Sequence, residues 1–160
     1  MKVLIDVNHP AHVHFFRVPA QQLLAAGHEV VFTSRDKDVT QTLLEEIGIK
    51  HLCLSSMGGG VWGLLRELIF RNLALWRVVR QERPDVMLAI GGTFVAHVSI
   101  VSRVSALVFY DTENARLQNL ITYPFADCVI VPNCYQAWLP RRHRRRDQRI
   151  VEQGPLAAAR

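Results

Sequence analysis

The most constraining feature of this sequence is a regular alternation of short apolar runs with segments of helical periodicity. Near-continuous apolar strands that alternate with helices are typical of a parallel sheet covered on both faces. Right-handed crossovers then favour a doubly wound, Rossmann-like three-layer α/β sandwich with a parallel six-stranded sheet in the order 3-2-1-4-5-6. The predicted strands are residues 2–7, 29–34, 49–54, 85–90, 106–111 and 127–132, and the predicted helices are residues 12–26, 39–47, 61–82, 93–103 and 115–123.

Two residues qualify the first helix. Pro19 predicts either a kink or a later start, because proline lacks the backbone donor that a helix interior needs. Gly27 predicts the end of that helix, since glycine accepts the left-handed conformation of a C-terminal cap. After Asn133 the alternation stops, so we expect one Rossmann-like domain over residues 1–138 and an Arg-rich tail over residues 139–160, disordered or aberrant in sequence.

Length and composition limit the class of protein. A chain of 160 residues that is 49% hydrophobic and 21% charged suits a single globular domain. No apolar run reaches the roughly 18–20 residues that span a bilayer, and the first residues do not form a secretory signal. The three cysteines are odd in number and lack the CxxC spacing, so we predict reduced thiols and a cytoplasmic protein.

The net charge of +5 is confined to one end of the chain. Residues 141–160 hold seven arginines against Asp147 and Glu152, and the remainder is balanced. We therefore expect no specific nucleic-acid partner and interpret the tail as solvated disorder, with binding to an anionic partner as the alternative. The predicted helix 61–82 combines an apolar stripe with four arginines: Arg66, Arg71, Arg77 and Arg80. This pattern fits a helix face packed on the sheet. The alternative is docking on an anionic membrane surface, with the protein then peripheral at the membrane.

The candidate ligand site lies where the parallel strands end. Ligands of doubly wound sheets bind outside the carboxyl ends of the strands, and four polar loops fall there: residues 8–14, 55–60, 91–93 and 111–114. The first loop contains no GxGxxG pattern, and the chain has no GxxxxGK[ST] pattern, so a conventional dinucleotide or ATP site is excluded. We expect no cofactor.

Three histidines follow the first strand. His9, His12 and His14 raise the question of a metal, but their spacing matches no zinc motif, so we predict no metal site. His12, at the predicted helix start, is the candidate catalytic residue, either as a general base or as a hydrogen-bond partner of a substrate hydroxyl. The alternative is that these histidines cap the helix or pack beside the neighbouring phenylalanines.

The later loops offer further candidates. Gly91 and Gly92 permit a close backbone approach, and Thr93 could cap a helix N-terminus that attracts an anion, although an ordinary tight turn fits equally well. Asp111 and Glu113 could orient sugar hydroxyls or act as acid and base. They could equally complement the dipole of the next helix.

Most of the chain resembles a known family. The segments DVNHPAHVHFFRVPAQQLLAAGHEVVFTSRD, IGG and FYDTENARLQNLITYPFADCVIVPN are similar to domain-of-unknown-function family 354, whose members look like glycosyltransferases of the two-domain B type (GT-B) and are related to UDP-N-acetylglucosamine 2-epimerases. The resemblance covers about residues 1–138. It implies a fold of two domains, with the nucleotide-sugar site mainly in the second.

The resemblance also marks individual residues. His12 and His14 match the H-x-H pattern of the family, and Asp111, Glu113 and Asn119 match its later polar run. Together with Asn8 in the first loop, His14, Asp111, Glu113 and Asn119 are predicted to bind substrate. Ala11 stands where the family usually has proline.

These observations lead to one leading expectation and two alternatives. The chain is expected to be the N-terminal, acceptor-side half of a GT-B protein that transfers sugar from a nucleotide donor to an acceptor. It would be inactive until a second domain or chain completes it, and it would represent a truncated or frame-shifted product. The alternatives are half of a sugar-nucleotide 2-epimerase-like enzyme and a non-catalytic orphan Rossmann binding module. The apolar surface left without a second domain could also be covered by a homo-oligomer.

Overall fold

Strands and helices alternate throughout the part of the chain that the structure describes. A computed structural model describes residues 1–35, 38–55, 60–110, 116–132 and 135–140, with the backbone alone at residues 38, 39, 55 and 60–67. The strands are β1 (Lys2–Val7), β2 (Glu29–Arg35), β3 (His51–Ser55), β4 (Val86–Ile90), β5 (Ser105–Phe109) and β6 (Cys128–Ile130). The helices are α1 (Pro10–Ala25), α2 (Asp38–Ile47), α3 (Gly60–Glu82), α4 (Thr93–Ser102) and α5 (Arg116–Thr122).

The six strands form one parallel sheet. Its order is β3-β2-β1-β4-β5-β6, so the predicted doubly wound topology is confirmed. The order reverses between β1 and β4, which lie side by side in register from Val3 opposite Val86 to Asp6 opposite Ala89. The carboxyl ends of these two strands therefore lie together at the switch point of the sheet, where open α/β sheets bind ligands.

Helices cover the two faces of the sheet unequally. On one face α1 and α2 contribute Val13, Phe16 and Leu44 to a core with the odd-numbered residues of β1. On the other face α3 and α4 pack on Leu4 and Met87, and α5 lies against α4. The α1 face of β5 and β6 is covered less completely, since Phe109 and Ile130 keep partial exposure there.

The first helix differs from its prediction. It begins at Pro10, two residues earlier than expected, because proline at the first helical position loses no hydrogen bond and has a suitable φ. Pro19 lies on the exposed side and the helix continues through it to Ala25. Gly27, with φ +78°, follows the end as predicted.

Other strand ends also shift. β3 begins at His51, two residues later than expected, and β5 ends at Phe109, two residues earlier. Beyond Ile130 the chain continues into a short segment, residues 135–140, in which Leu139 is buried against Tyr123 and Val129. Within the described residues no helix is long and apolar enough to cross a membrane.

Candidate functional site

An apolar cleft lies at the carboxyl edge of the sheet. It has a volume of about 360 Å³, which is within the range of small-molecule sites. One wall is the first turns of α1, with Ala11, His12 and Phe15. The other wall is formed by the ends of β4, β5 and β6 and the residues that follow: Ile90, Phe109, Tyr110, Ile130, Val131 and Pro132.

Three phenylalanine rings line and support this cleft. Phe15 is 51% exposed, although it packs edge-on against Phe16 and Phe109 with ring centroids 5.0 and 5.5 Å apart. Phe16 is buried and meets Phe109 at 5.5 Å. An exposed aromatic ring held by two others is a rigid, preformed apolar contact for a ligand.

His12 is the histidine that lies at the cleft. Its Nδ1 accepts a hydrogen bond from the backbone N–H of Asn8 at 3.3 Å. His9, one residue before α1, uses its own Nδ1 in the same way and accepts from the N–H of Ala11 at 3.2 Å. The His9 ring therefore caps the start of α1, as the capping alternative predicted, and the His12 ring links α1 to the preceding loop.

The hydrogen bond from the Asn8 N–H indicates which nitrogen of His12 carries the proton. In a neutral imidazole one nitrogen carries the proton and the other accepts. Since Nδ1 accepts from Asn8, the proton belongs on Nε2. The ring can then donate a hydrogen bond through Nε2–H.

The other residues of the first loop have different surroundings. His14 is exposed on α1 and does not line the cleft, because residues two apart on a helix point in diverging directions. The Asn8 side chain points inward, with Nδ2 at 3.5 Å from the carboxylate of Asp6. The predicted roles of Asn8 and His14 in substrate binding stay predictions.

The Gly91–Thr93 turn is built from internal hydrogen bonds. The N–H of Gly91 donates to the Phe109 carbonyl, and its carbonyl accepts from the Thr93 N–H and from the side-chain amide of Gln118. Gly92 is the N-cap of α4, so the capping role predicted for Thr93 is wrong. The Thr93 hydroxyl lies 2.9 Å from that of Thr122. Anion binding at this turn stays a prediction.

Packing explains the second glycine of this turn. A Cβ added to Gly92 would lie 2.6 Å from the Cβ of Ala89 and 3.3 Å from a methyl of Val108. Gly91 adopts φ +59°, a left-handed conformation that disfavours other residues. Both glycines therefore have a structural reason that requires no ligand.

Asn119 lies away from the cleft. It is buried on α5, and its Nδ2 is 3.5 Å from the hydroxyl of Tyr135, which itself pairs with the Tyr123 hydroxyl at 2.9 Å. This group fastens residues 135–140 to the domain. Asp111 and Glu113, the other members of the predicted polar run, lie outside the described residues.

A buried ion pair lies below the carboxyl edge and was not predicted from the sequence. Asp6, at 0% exposure, accepts from Arg71 at 3.0 Å and from the Thr33 hydroxyl at 2.8 Å, both on the same oxygen. Arg71 is 1% exposed, and its guanidinium lies 4.7 Å from the ring centroid of Phe94. Arg71, one of the arginines noted in the predicted helix 61–82, therefore belongs to the buried side of that helix.

Tyr110 adds a neutral phenol beside the cleft. Burial raises the pKa of Tyr110 to about 12, so this hydroxyl stays protonated at neutral pH. The phenol therefore cannot serve as a base there. Among the described residues no three His, Cys, Asp or Glu side chains converge on a common point that could hold a metal.

The comparison with protein families gives a clear result. Residues 1–154 match the family described as protein of unknown function DUF354. The chain belongs to this family. An uncharacterized protein of Methanocaldococcus jannaschii is 26% identical over 132 residues, which are 82% of this chain and 39% of that protein.

The solved structures that resemble this domain are glycosyltransferases and epimerases. MurG of Acinetobacter baumannii superposes with a TM-score of 0.69 at 16% identity over 86% of this chain and 43% of its own. The UDP-GlcNAc 2-epimerase of Neisseria meningitidis, solved with UDP-GlcNAc, superposes with a TM-score of 0.64 at 14% identity, over 82% of this chain and 40% of its own. The spinosyn rhamnosyltransferase SpnG, solved with spinosyn aglycone, superposes with a TM-score of 0.64 at 13% identity, over 87% of this chain and 49% of its own.

These likenesses show the fold. The domain has the Rossmann-like fold of one half of the GT-B architecture, as expected from the resemblance. The chain spans about two-fifths of the length of the curated relative and of MurG, so roles that need the whole of such a protein are proposals for this chain.

Proposed function

We propose that this family member is the acceptor-side domain of a glycosyltransferase that takes its sugar from a nucleotide donor. The acceptor would bind in the apolar cleft at the carboxyl edge of the sheet, with its reacting oxygen near His12. This proposal is based on one observation, namely that the cleft is lined almost entirely by apolar and aromatic side chains, with His12 at one wall.

The lining favours a particular class of acceptor. Burying a charged diphosphate or a hydroxyl-covered sugar against Phe15, Phe109 and Pro132 would leave polar groups without partners, at a considerable free-energy cost. An acceptor with an apolar carbon skeleton and one oxygen function fits better. SpnG, a neighbour in fold, was solved with an aglycone, which supports this kind of ligand.

The apolar lining of the cleft supports this function over the alternatives. Epimerases among the neighbours share the fold as closely as the transferases do, so the fold alone does not choose between them. An epimerase acts on its sugar nucleotide without a second substrate and needs no apolar groove in this half. A pure binding module would not need a histidine at the cleft.

A second domain would supply the donor site. The neighbouring structures are about twice as long as this chain, and the chain matches 39–50% of them. We propose that the nucleotide sugar is held by such a domain, in the same polypeptide or in another. In that arrangement His12 orients the acceptor oxygen as a donor through Nε2.

A thermal-shift titration of the 160-residue chain tests the acceptor site. The probes are geraniol and geranyl monophosphate, compared with N-acetylglucosamine and UDP-N-acetylglucosamine. A probe present at about 100 times its dissociation constant stabilises the folded state by about 2.7 kcal/mol, which raises Tm by roughly 5–10 °C. We expect stabilisation by the geranyl probes and none by the two sugars.

Two phenylalanine variants form a matched pair. Phe15→Ala removes an exposed ring from the cleft and should weaken binding roughly tenfold, since an aromatic contact contributes about 1–1.5 kcal/mol. Phe125→Ala removes a ring of similar exposure, 42%, that is not part of the cleft and should leave binding unchanged. Stabilisation by UDP-N-acetylglucosamine alone would contradict the assignment of the donor site to another domain.

Association with a membrane or with a second copy is tested by the same preparation. Ile69 and Leu73 of α3 are exposed, as are Arg77 and Arg80 on the same helix. Exposed apolar and basic side chains on one helix fit the membrane-docking alternative. We propose peripheral binding to anionic vesicles through this helix. Sedimentation with phosphatidylglycerol but not phosphatidylcholine vesicles would support it. Sedimentation equilibrium without vesicles would reveal a homo-oligomer.

A further inference from the structure

The buried pair of Asp6 and Arg71 has no evident purpose in stability. Taking both charges out of water is costly, and apolar residues of similar volume usually stabilise a core at least as well. The pair is also not part of the cleft lining. Its position in the fold suggests a different role.

Asp6 lies two residues before Asn8, whose backbone N–H donates to the His12 ring. It shares its face of β1 with Leu4, next to α3, and β1 ends at Val7. The first residue beyond the strand is Asn8, whose side-chain Nδ2 approaches the second carboxylate oxygen of Asp6 at 3.5 Å. The backbone N–H of the same Asn8 holds Nδ1 of His12.

Two other elements hold the Asp6 carboxylate, and a third supports the guanidinium that pairs with it. Arg71 comes from α3, Thr33 from β2, and Phe94 of α4 stacks on the guanidinium. With one carboxylate oxygen held by Arg71 and Thr33, the other oxygen faces the Asn8 side chain. Charge-assisted hydrogen bonds are both stronger and more directional than neutral ones.

We propose that Asp6 and Arg71 are positioning residues that hold Asn8 so that its N–H keeps His12 in the Nε2-protonated state. The contact chain runs from Arg71 to Asp6, from Asp6 to the Asn8 amide, and from the Asn8 backbone to the imidazole. His12 is then a hydrogen-bond donor at Nε2 and not a general base. Its use toward an acceptor depends on the proposed function, whereas the state of the ring does not.

This state restricts the chemistry at His12. The atom that meets Nε2 must be an oxygen with a lone pair, such as a hydroxyl, phosphate, carboxylate or ether oxygen. If the acceptor oxygen begins as an alcohol, its proton must leave through another group.

Nitrogen-15 NMR of the imidazoles reads the ring state directly. The chain has seven histidines, and the His12 signals are identified by their loss in His12→Gln. At pH 8, above the ordinary imidazole pKa of about 6.5, we expect an unprotonated Nδ1 and a protonated Nε2. A protonated Nδ1 in the unaltered chain would overturn the proposal at once.

The Asp6→Val/Arg71→Met double variant tests the coupling. Both charges are removed together, so no lone charge remains buried. We expect the tautomer ratio of His12 to shift by roughly five- to tenfold toward equal populations, as for loss of one hydrogen bond. Asn8→Ala keeps the backbone N–H and removes the tie to Asp6, so it should reproduce this shift.

A matched control and a milder variant complete the test. The ion pair of Lys2 and Glu82 lies at the other end of the sheet, and Lys2→Met/Glu82→Gln should leave His12 unchanged. If the Asp6 double variant does not fold, the coupling is tested with Thr33→Val. This variant removes one hydrogen bond to the Asp6 carboxylate and changes the side-chain volume little. An unshifted His12 in folded Thr33→Val and Asn8→Ala would refute the coupling.

The outcomes separate this inference from the proposed function. A shifted ring together with no binding of any geranyl probe would retain the positioning role and reject the acceptor site. Probe binding that is lost in His12→Gln but unchanged in the Asp6 double variant would retain the acceptor site and reject the positioning role.

Discussion

Removing the charge of Arg71 alone is predicted to cost far more than removing both charges of its pair with Asp6. In Arg71→Met the carboxylate of Asp6, at 0% exposure, loses its cationic partner and keeps only the Thr33 hydroxyl and the distant Asn8 amide. Breaking a buried pair from one side typically costs about 3–5 kcal/mol. That is a large share of the roughly 5–15 kcal/mol by which domains are stable.

The double variant Asp6→Val/Arg71→Met should behave differently. It leaves no lone charge in the core, and the new side chains can pack between Leu75 and Phe94. The main residual cost is the Thr33 hydroxyl without its acceptor, so we expect a loss of no more than about 2 kcal/mol. The two single substitutions must therefore be strongly non-additive.

Urea unfolding followed by tryptophan fluorescence measures these changes. Equal m-values across the variants would show that the same transition is being compared. Arg80→Met on the same helix is the control. Arg80 is exposed and only stacks on Trp76 at 5.1 Å, so its loss should cost less than about 1 kcal/mol. The reasoning is refuted if Arg71→Met costs as little as Arg80→Met, or if the double variant loses the sum of both single losses.

Two further predictions concern packing and pH. Gly92→Ala should destabilise the chain by about 1–3 kcal/mol in the same unfolding assay, because its methyl would meet Ala89 and Val108; an unchanged midpoint would contradict the packing explanation. The hydrogen bond from Lys50, with a smaller one from Lys2, lowers the pKa of Glu82 below its usual 4.5 despite burial. The stability that Glu82 provides is therefore complete above pH 4.5 and is lost as pH falls through the lower folded value. Glu82→Gln should flatten the acid limb of the stability profile, and a profile that stays equally steep would argue against this pair.

The fold could be predicted from the sequence because each level of the pattern agrees. Apolar strand runs such as KVLIDV alternate with amphipathic segments, and right-handed crossovers in a doubly wound sheet favour the order that the structure has. The element ends were less accurate. The prediction began α1 at His12, two residues too late, because it did not use the preference of proline for the first helical position, which places the start at Pro10 with His9 as the N-cap.

The buried pair left signals that the prediction did not use. Arg71, Leu75 and Val79 recur at four-residue spacing, so Arg71 lies on the buried stripe of α3 and not on its basic face. Asp6 is the one charged residue inside the run VLIDV, in a strand that faces helices on both sides. A charge on a buried stripe and a charge in a buried strand predict each other as partners, because neither could be buried alone.

The two faces of β1 connect the cleft and the buried ion pair, because residues on both faces contact groups near the end of this strand. Val7 points into the core under α1, and Phe16 of that core supports the Phe15 ring at the cleft. Asp6 points to the opposite face and reaches the same loop through Asn8. One strand end thus controls both an apolar wall and the orientation of the only imidazole among the residues that line the described cleft. A buried valine at position 6 could serve stability at least as well, so the proposed positioning role gives this charge a function that stability alone does not.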